Sequence, residues 1–153
     1  MSRSVSFALL VLAGIIPSIS ACTCLFHNPQ QIFCKDDFAG AFRIEDNGTV
    51  IDGIRVYEVD MLAMYRTVPI KNLDTEKLYA PTEIGAGCGV ILNPDAYYVV
   101  SGYYYQKPGQ LTQMGTSTCS LTTYFPNNPV PTYLPPDCDT TEVEIKSDRL
   151  VIS

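Results

Sequence analysis

Hydrophobic and polar positions change their period several times along the chain. Residues 5–16 form an uncharged apolar run, preceded by Arg3 and followed by Pro17 and the small residues Ser18, Ser20 and Ala21. A short basic start, a short apolar run and a small-residue exit predict a secretory signal peptide over residues 1–21. The run is too short for a membrane span, which needs about 20 apolar residues, and no later stretch comes closer. Cleavage after Ala21 exposes Cys22, whereas cleavage after Ser20 leaves Ala21 in front of it. Ile19-Ser20-Ala21-Cys22 also fits a bacterial lipid-attachment junction. Lipidation would consume the Cys22 sulfur and leave an odd number of cysteines.

After the leader, Asn28-Pro29 followed by residues 30–33 predicts a short helix. Asn is a good N-cap, and Pro is tolerated at the first helical position, where its missing N–H is not needed. From Phe38 onward the pattern is mostly strand. Residues 38–45 and 49–68 flank an Asn47-Gly48 turn, the second with imperfect alternation; residues 77–79, 90–92, 97–101 and 111–120 follow as further strands. Short strands separated by turn signals predict a mainly β domain, a sandwich or a small closed barrel, spanning residues 22–138. The prolines at 126, 129, 131, 135 and 136 exclude a helix there and predict a loop. Residues 139–153 form an acidic, β-branched tail in which Val143, Ile145 and Val151 could add a strand.

Composition narrows the class. At 46% apolar and 17% charged residues the chain is globular rather than disordered. Ten Lys and Arg stand against 16 Asp and Glu, a net charge of −6 with no basic cluster, which excludes a phosphate backbone as partner. The six cysteines at 22, 24, 34, 88, 119 and 138 in a secreted domain predict three disulfides, for which 15 connectivities exist. If residues 22–24 are extended, Cys22 and Cys24 share a face and Thr23 points away. Asn47-Gly48-Thr49 is both a glycosylation sequon, making Asn47 a candidate modification site, and a hairpin-turn signal.

Cys22-Thr23-Cys24, with Asn28-Pro29-Gln30 and Cys34 behind it, resembles the start of the tissue inhibitors of metalloproteinases. Tyr79-Ala80-Pro81 through Cys88-Gly89-Val90, then Tyr98-Val99-Val100-Ser101-Gly102 and Thr118-Cys119, resemble further segments of that family in the same order. The resemblance covers most of residues 22–138, the family's N-terminal netrin-like domain. It implies a five-stranded OB-type closed barrel with short flanking helices, and the pairing Cys22–Cys88, Cys24–Cys119 and Cys34–Cys138. The resemblance stops short of the family's second, six-cysteine domain, so a one-domain version is expected. The chain departs from the family at Phe26, where Pro is usual, and at Asn28, where His is usual.

The resemblance also implies a mechanism. A catalytic zinc in a metalloproteinase keeps one position open for water. The α-amino nitrogen and carbonyl oxygen of Cys22 would fill it, Thr23 would enter the adjacent specificity pocket, and Cys24, Leu25 and Phe26 would extend along the cleft. Gly85, Ala86, Gly87 and Cys88 would complete the contact ridge. On this reading the protein is a secreted monomer that inhibits secreted zinc metalloproteinases of the matrix type. It would have no cofactor of its own and touch only the target's zinc. The alternative is a secreted netrin-like binding module without inhibition.

No enzyme is expected. His27 is the only histidine and one His cannot build a zinc site. Every Cys has a disulfide role, and no nucleophile–base pair is evident. Asp36-Asp37 is read as solvating the end of the helix. Of Tyr97, Tyr98, Tyr103, Tyr104 and Tyr105, alternation turns about half toward the core, and the rest could form an aromatic surface.

Overall fold

A computed structural model describes residues 22–25, 28–82 and 88–139. The expected leader, Phe26, His27, the segment Gly85-Ala86-Gly87 and the tail positions Val143, Ile145 and Val151 lie outside the described residues.

The helix α1 (Pro29–Lys35) starts as its cap signal predicts. Asn28 is extended and its side chain accepts the Gln30 N–H at 2.9 Å, with Pro29 in the first turn. Phe33 is buried on its inner face, and Lys35 places a cation at the C-terminal end of the helix dipole.

Seven strands follow: β1 (Phe38–Ile44), β2 (Thr49–Ile51), β3 (Ile54–Thr67), β4 (Leu73–Pro81), β5 (Tyr97–Gln106), β6 (Thr112–Gly115) and β7 (Thr122–Phe125). Their neighbours run β1-β3-β4-β6-β5, and β1 pairs with β5 to close the ring. The β4–β6 pair is parallel and the other pairs are antiparallel. This is a five-stranded closed barrel of OB type; β2 and β7 are short additions on β3 and β5. Closure leaves the five barrel strands without a free edge along most of their length.

The imperfect alternation of β3 has a topological cause. Residues 54–58 pair with β4, whereas residues 59–67 pair with β1, so the two halves face different neighbours. Two register shifts between β1 and β3, opposite Ala39/Gly40 and Ala41/Phe42, leave Tyr65 and Leu62 of β3 as extra residues and bend the pair around the barrel. Inside, Phe38 and Phe42 meet edge to face at 6.3 Å, and Tyr104 stacks on Phe38 at 5.2 Å. Ile44, Tyr57, Leu78, Leu92, Val100 and Met114 complete the core. Each such side chain stabilises the fold by about 1.5–3 kcal/mol when fully buried. At the β5–β6 seam there is no room for a side chain: a Cβ on Gly102 would lie 1.9 Å from the Gly115 carbonyl oxygen.

Three local expectations are corrected. The hairpin turn is Asp52-Gly53, not Asn47-Gly48: β2 pairs with β3 across it, and both residues have positive φ, 50° and 79°. Asn47-Gly48 instead links β1 to β2, and Asp46 shapes it by accepting the Gly48 and Glu58 N–H groups, both at 3.0 Å. Residues 90–92 form no strand; the Tyr57 hydroxyl, not a ladder, bonds the Val90 carbonyl and the Leu92 N–H. Residues 111–120 are not one strand either. β6 ends at Gly115; the Thr116 hydroxyl donates to the Ser101 carbonyl on β5, and the Ser117 side chain accepts the Cys119 N–H in a local turn before β7. The proline-rich stretch is an ordered loop. The Pro129 carbonyl accepts the Thr132 and Tyr133 N–H groups, and Tyr133 packs between Tyr65 and Phe125 at 5.1 and 5.8 Å.

Candidate functional site

The N-terminal segment is too short to hold a structure of its own, so covalent anchors place it. Cys22 bridges Cys88 and Cys24 bridges Cys119, each pair with Cα atoms 5.2 Å apart. The sulfurs of Cys22 and Cys119 lie 3.6 Å from each other, so the two bridges stack. Burial alternates along the segment: Cys22 and Cys24 are half-buried, while Thr23 is exposed and Leu25 is 85% exposed. Two anchors one residue apart therefore turn the intervening side chain outward, as an extended backbone requires.

The anchoring segments are themselves held. Thr118 N–H donates to the Cys88 carbonyl at 3.1 Å, joining the two segments that receive the bridges. Beyond Cys88, the Tyr57 hydroxyl donates to the Val90 carbonyl and accepts the Leu92 N–H, both at 3.1 Å. The Tyr98 hydroxyl accepts the Asn93 N–H at 3.2 Å. Burial raises the pKa of Tyr57, which keeps its hydroxyl a donor at any physiological pH. The third bridge, Cys34–Cys138, ties α1 to the end of the proline-rich loop, and the Gln30 side chain donates to the Asp137 carbonyl at 3.0 Å.

Asp36 and Asp37 do more than solvate the helix end; both are half-buried and accept hydrogen bonds from β5. Asp36 accepts a hydrogen bond from the Ser101 hydroxyl, and desolvation raises its pKa above the ordinary 3.8 despite that bond. Asp37 accepts the Tyr104 N–H at 2.9 Å, and its backbone N–H donates to the Gly102 carbonyl at 2.7 Å. Sequence reasoning missed Ser101, Tyr57 and Asp36 as supports of the anchoring segments. The signal for one of them was present: Ser101 is a lone polar residue in the apolar run of β5, and it is 0% exposed.

Thr23, Cys24, Leu25 and Cys88 thus cluster at one end of the barrel, whereas Phe26, Gly85, Ala86 and Gly87 lie outside the described residues. Asn47 is exposed on the turn before β2. The tyrosines divide by parity: Tyr98 is buried and Tyr104 packs on the core, while Tyr103 and Tyr105 face outward. With Tyr79, Ile54, Val56 and Gln113 they line an external groove of about 470 Å³. Among the described residues no group of three or more His, Cys, Asp or Glu could hold a metal. Nor is any helix among them long and apolar enough to cross a membrane.

A closed OB-type barrel with an N-terminal segment stapled twice to one end defines a class of protein: a rigid, disulfide-braced module that presents an exposed residue between two cystines. That class has a family name here. The chain belongs to the tissue inhibitor of metalloproteinase family, whose family model matches residues 20–127. No curated protein matches the chain. Members of the family are inhibitors of metalloproteinases rather than enzymes, and three disulfides suit an extracellular setting.

Proposed function

We propose that this protein is a secreted inhibitor of zinc metalloproteinases that acts through the segment beginning at Cys22. The observation that carries the reading is the double staple: two bridges hold residues 22–24 against the barrel and leave Thr23 exposed between them. Removal of residues 1–21 frees the Cys22 α-amine, which with the Cys22 carbonyl oxygen chelates the target's zinc in place of water. An α-amine has a reference pKa near 7.7–8.0, so the metal displaces a weakly held proton at neutral pH. Thr23 fills the neighbouring specificity pocket, and Leu25 and the ridge around Cys88 extend the contact. Because the staples order the segment before it meets the enzyme, little conformational entropy is lost on binding.

The test is a titration of a secreted-type zinc metalloproteinase with refolded protein that starts at Cys22, against a control that retains Ala21. The extra residue converts the amine to an amide, a very poor zinc ligand. Inhibition by the first protein alone supports the mechanism. Equal inhibition by both rules out chelation by the amine. A second reading, a binding module without inhibition, draws on the external tyrosine groove. Inhibition by neither form, with all three disulfides verified, would favour it.

A further inference from the structure

One of the two staples, Cys24–Cys119, ends on a short stretch that a single residue, Ser101, holds at both ends. Residues 116–121 leave the sheet after β6, carry Cys119, and return to it at β7. At the near end, the Thr116 hydroxyl donates to the Ser101 carbonyl at 3.0 Å. At the far end, Ser101 N–H donates to the Leu121 carbonyl at 2.9 Å, and the Ser101 hydroxyl accepts the Leu121 N–H at 2.8 Å. A hydroxyl that accepts at its oxygen has one proton to place, and Ser101 gives it to the carboxylate of Asp36. Asp36 is in turn fixed as the C-cap of α1, its own N–H donating to the Ile32 carbonyl at 3.0 Å. The chain of contacts therefore runs from α1 through Asp36, Ser101 and Leu121 to Cys119, and across the bridge to Cys24.

We propose that Ser101, oriented by Asp36, is a positioning residue that sets where residues 22–25 sit on the barrel. This rests on the inhibitory reading for its functional consequence, but not for its geometry. Backbone bonds from Thr116 to the Tyr79 carbonyl and from Thr118 to the Cys88 carbonyl hold the start and middle of the stretch, while its far end rests on the Ser101–Leu121 pair. The added side-chain acceptor makes the contact two-point. Loss of either partner strands a buried donor or a half-buried carboxylate, so the stretch relaxes locally and takes Cys24 with it. The groups that face Asp36 are Asp37 on the same link, Arg66 on β3, and Ser101 and Ser120.

The experiment compares Ser101→Ala, Asp36→Ala and Asp36→Asn in the complete mature chain, with amide exchange, the NMR signal of Thr23 and inhibition measured together. Ser101→Ala and Asp36→Ala should speed exchange at Cys119 and Leu121 about tenfold more than at the core amides of Val99 and Met114. They should also displace the Thr23 signal and weaken inhibition about tenfold. Asp36→Asn, which keeps an acceptor for the Ser101 hydroxyl, should restore most of each effect. Exchange that rises equally everywhere, with Thr23 unmoved, would overturn the proposal and leave Ser101 a purely structural residue. Should Ser101→Ala fail to fold, the Asp36 pair decides alone, since equal effects of Ala and Asn would also overturn it. A wild-type chain that does not inhibit would sink the inhibitory reading, while the exchange and Thr23 readouts would still judge the brace.

Discussion

Adding one methyl group at Gly102 should be among the most costly small changes in this molecule. The residue sits where β5 passes from pairing with β1 to pairing with β6, and its Cβ would lie 1.9 Å from the Gly115 carbonyl oxygen and 3.1 Å from a Phe38 ring carbon. Relief needs a backbone movement of more than about 1 Å, because real Cβ contacts rarely fall below about 3 Å. Neither strand can yield freely: β6 is clamped between β4 and β5, and Phe38 is fully buried. Overpacking of this kind costs about 1–3 kcal/mol, and disturbing the Tyr103–Gly115 pairing adds about 1 kcal/mol. Gly102→Ala should therefore destabilise by about 3 kcal/mol. Gly53→Ala is the control, since Gly53 has φ of 79° but no atom within 4 Å of its would-be Cβ. It carries only left-handed strain, partly offset by the stiffer unfolded chain, or about 1 kcal/mol. Equilibrium urea unfolding with the disulfides intact reads both, provided the slopes match wild type. A Gly102→Ala loss no larger than that of Gly53→Ala would refute the argument that the seam is closed by backbone contact.

The remaining predictions concern the site and the surface. Thr23→Gly should weaken inhibition by roughly 1–3 kcal/mol through lost pocket filling, and an unchanged inhibition constant would dismiss the pocket assignment. Asp36 is an acid whose folded pKa is raised, so the folded state binds more protons than the unfolded state from pH 3.8 upward. Its favourable contribution is complete below 3.8 and is lost as pH rises through the folded value. Asp36→Asn should flatten that part of the stability–pH curve, and an unaltered curve would show the carboxyl to be unperturbed. Asn47 is exposed while Asp46 does the work of shaping the turn, so its carboxamide is available for N-glycosylation. Protein secreted from a eukaryotic host should lose mass on peptide-N-glycosidase treatment, and Asn47→Gln should abolish that change; wild type without the change would exclude the modification.

Local chemistry was readable in the chain where neighbours in sequence decide it. The Asn28-Pro29 cap placed α1 because an N-cap acts on N–H groups two residues away. The alternation of Cys22, Thr23 and Cys24 set which of them points outward once the backbone is extended. Misreadings fell where a distant partner intervened. Asn47-Gly48 carries a hairpin signal, yet the pairing of β2 with β3 puts the turn at Asp52-Gly53. Residues 90–92 have strand composition, but the Tyr57 hydroxyl bonds their backbone where a neighbouring strand would have done. Asp36-Asp37 looked like a solvated helix end because nothing within a few residues shows that Ser101 and Tyr104 lie against it.

By itself, then, the sequence determined the mainly β class, the capped helix and the cystine-rich character. Those properties follow from composition, period and local hydrogen bonding. Which strands become neighbours was decided only in the tertiary structure, as was the convergence of Cys88 and Cys119 on the N-terminal segment. So was the role of a buried serine in holding that convergence in place. The physical reason is one of range. A side chain's period and cap act over a turn or a pleat, while barrel closure brings together groups 65 to 67 residues apart, such as Asp36 with Ser101 and Asp37 with Tyr104, whose juxtaposition no local pattern encodes.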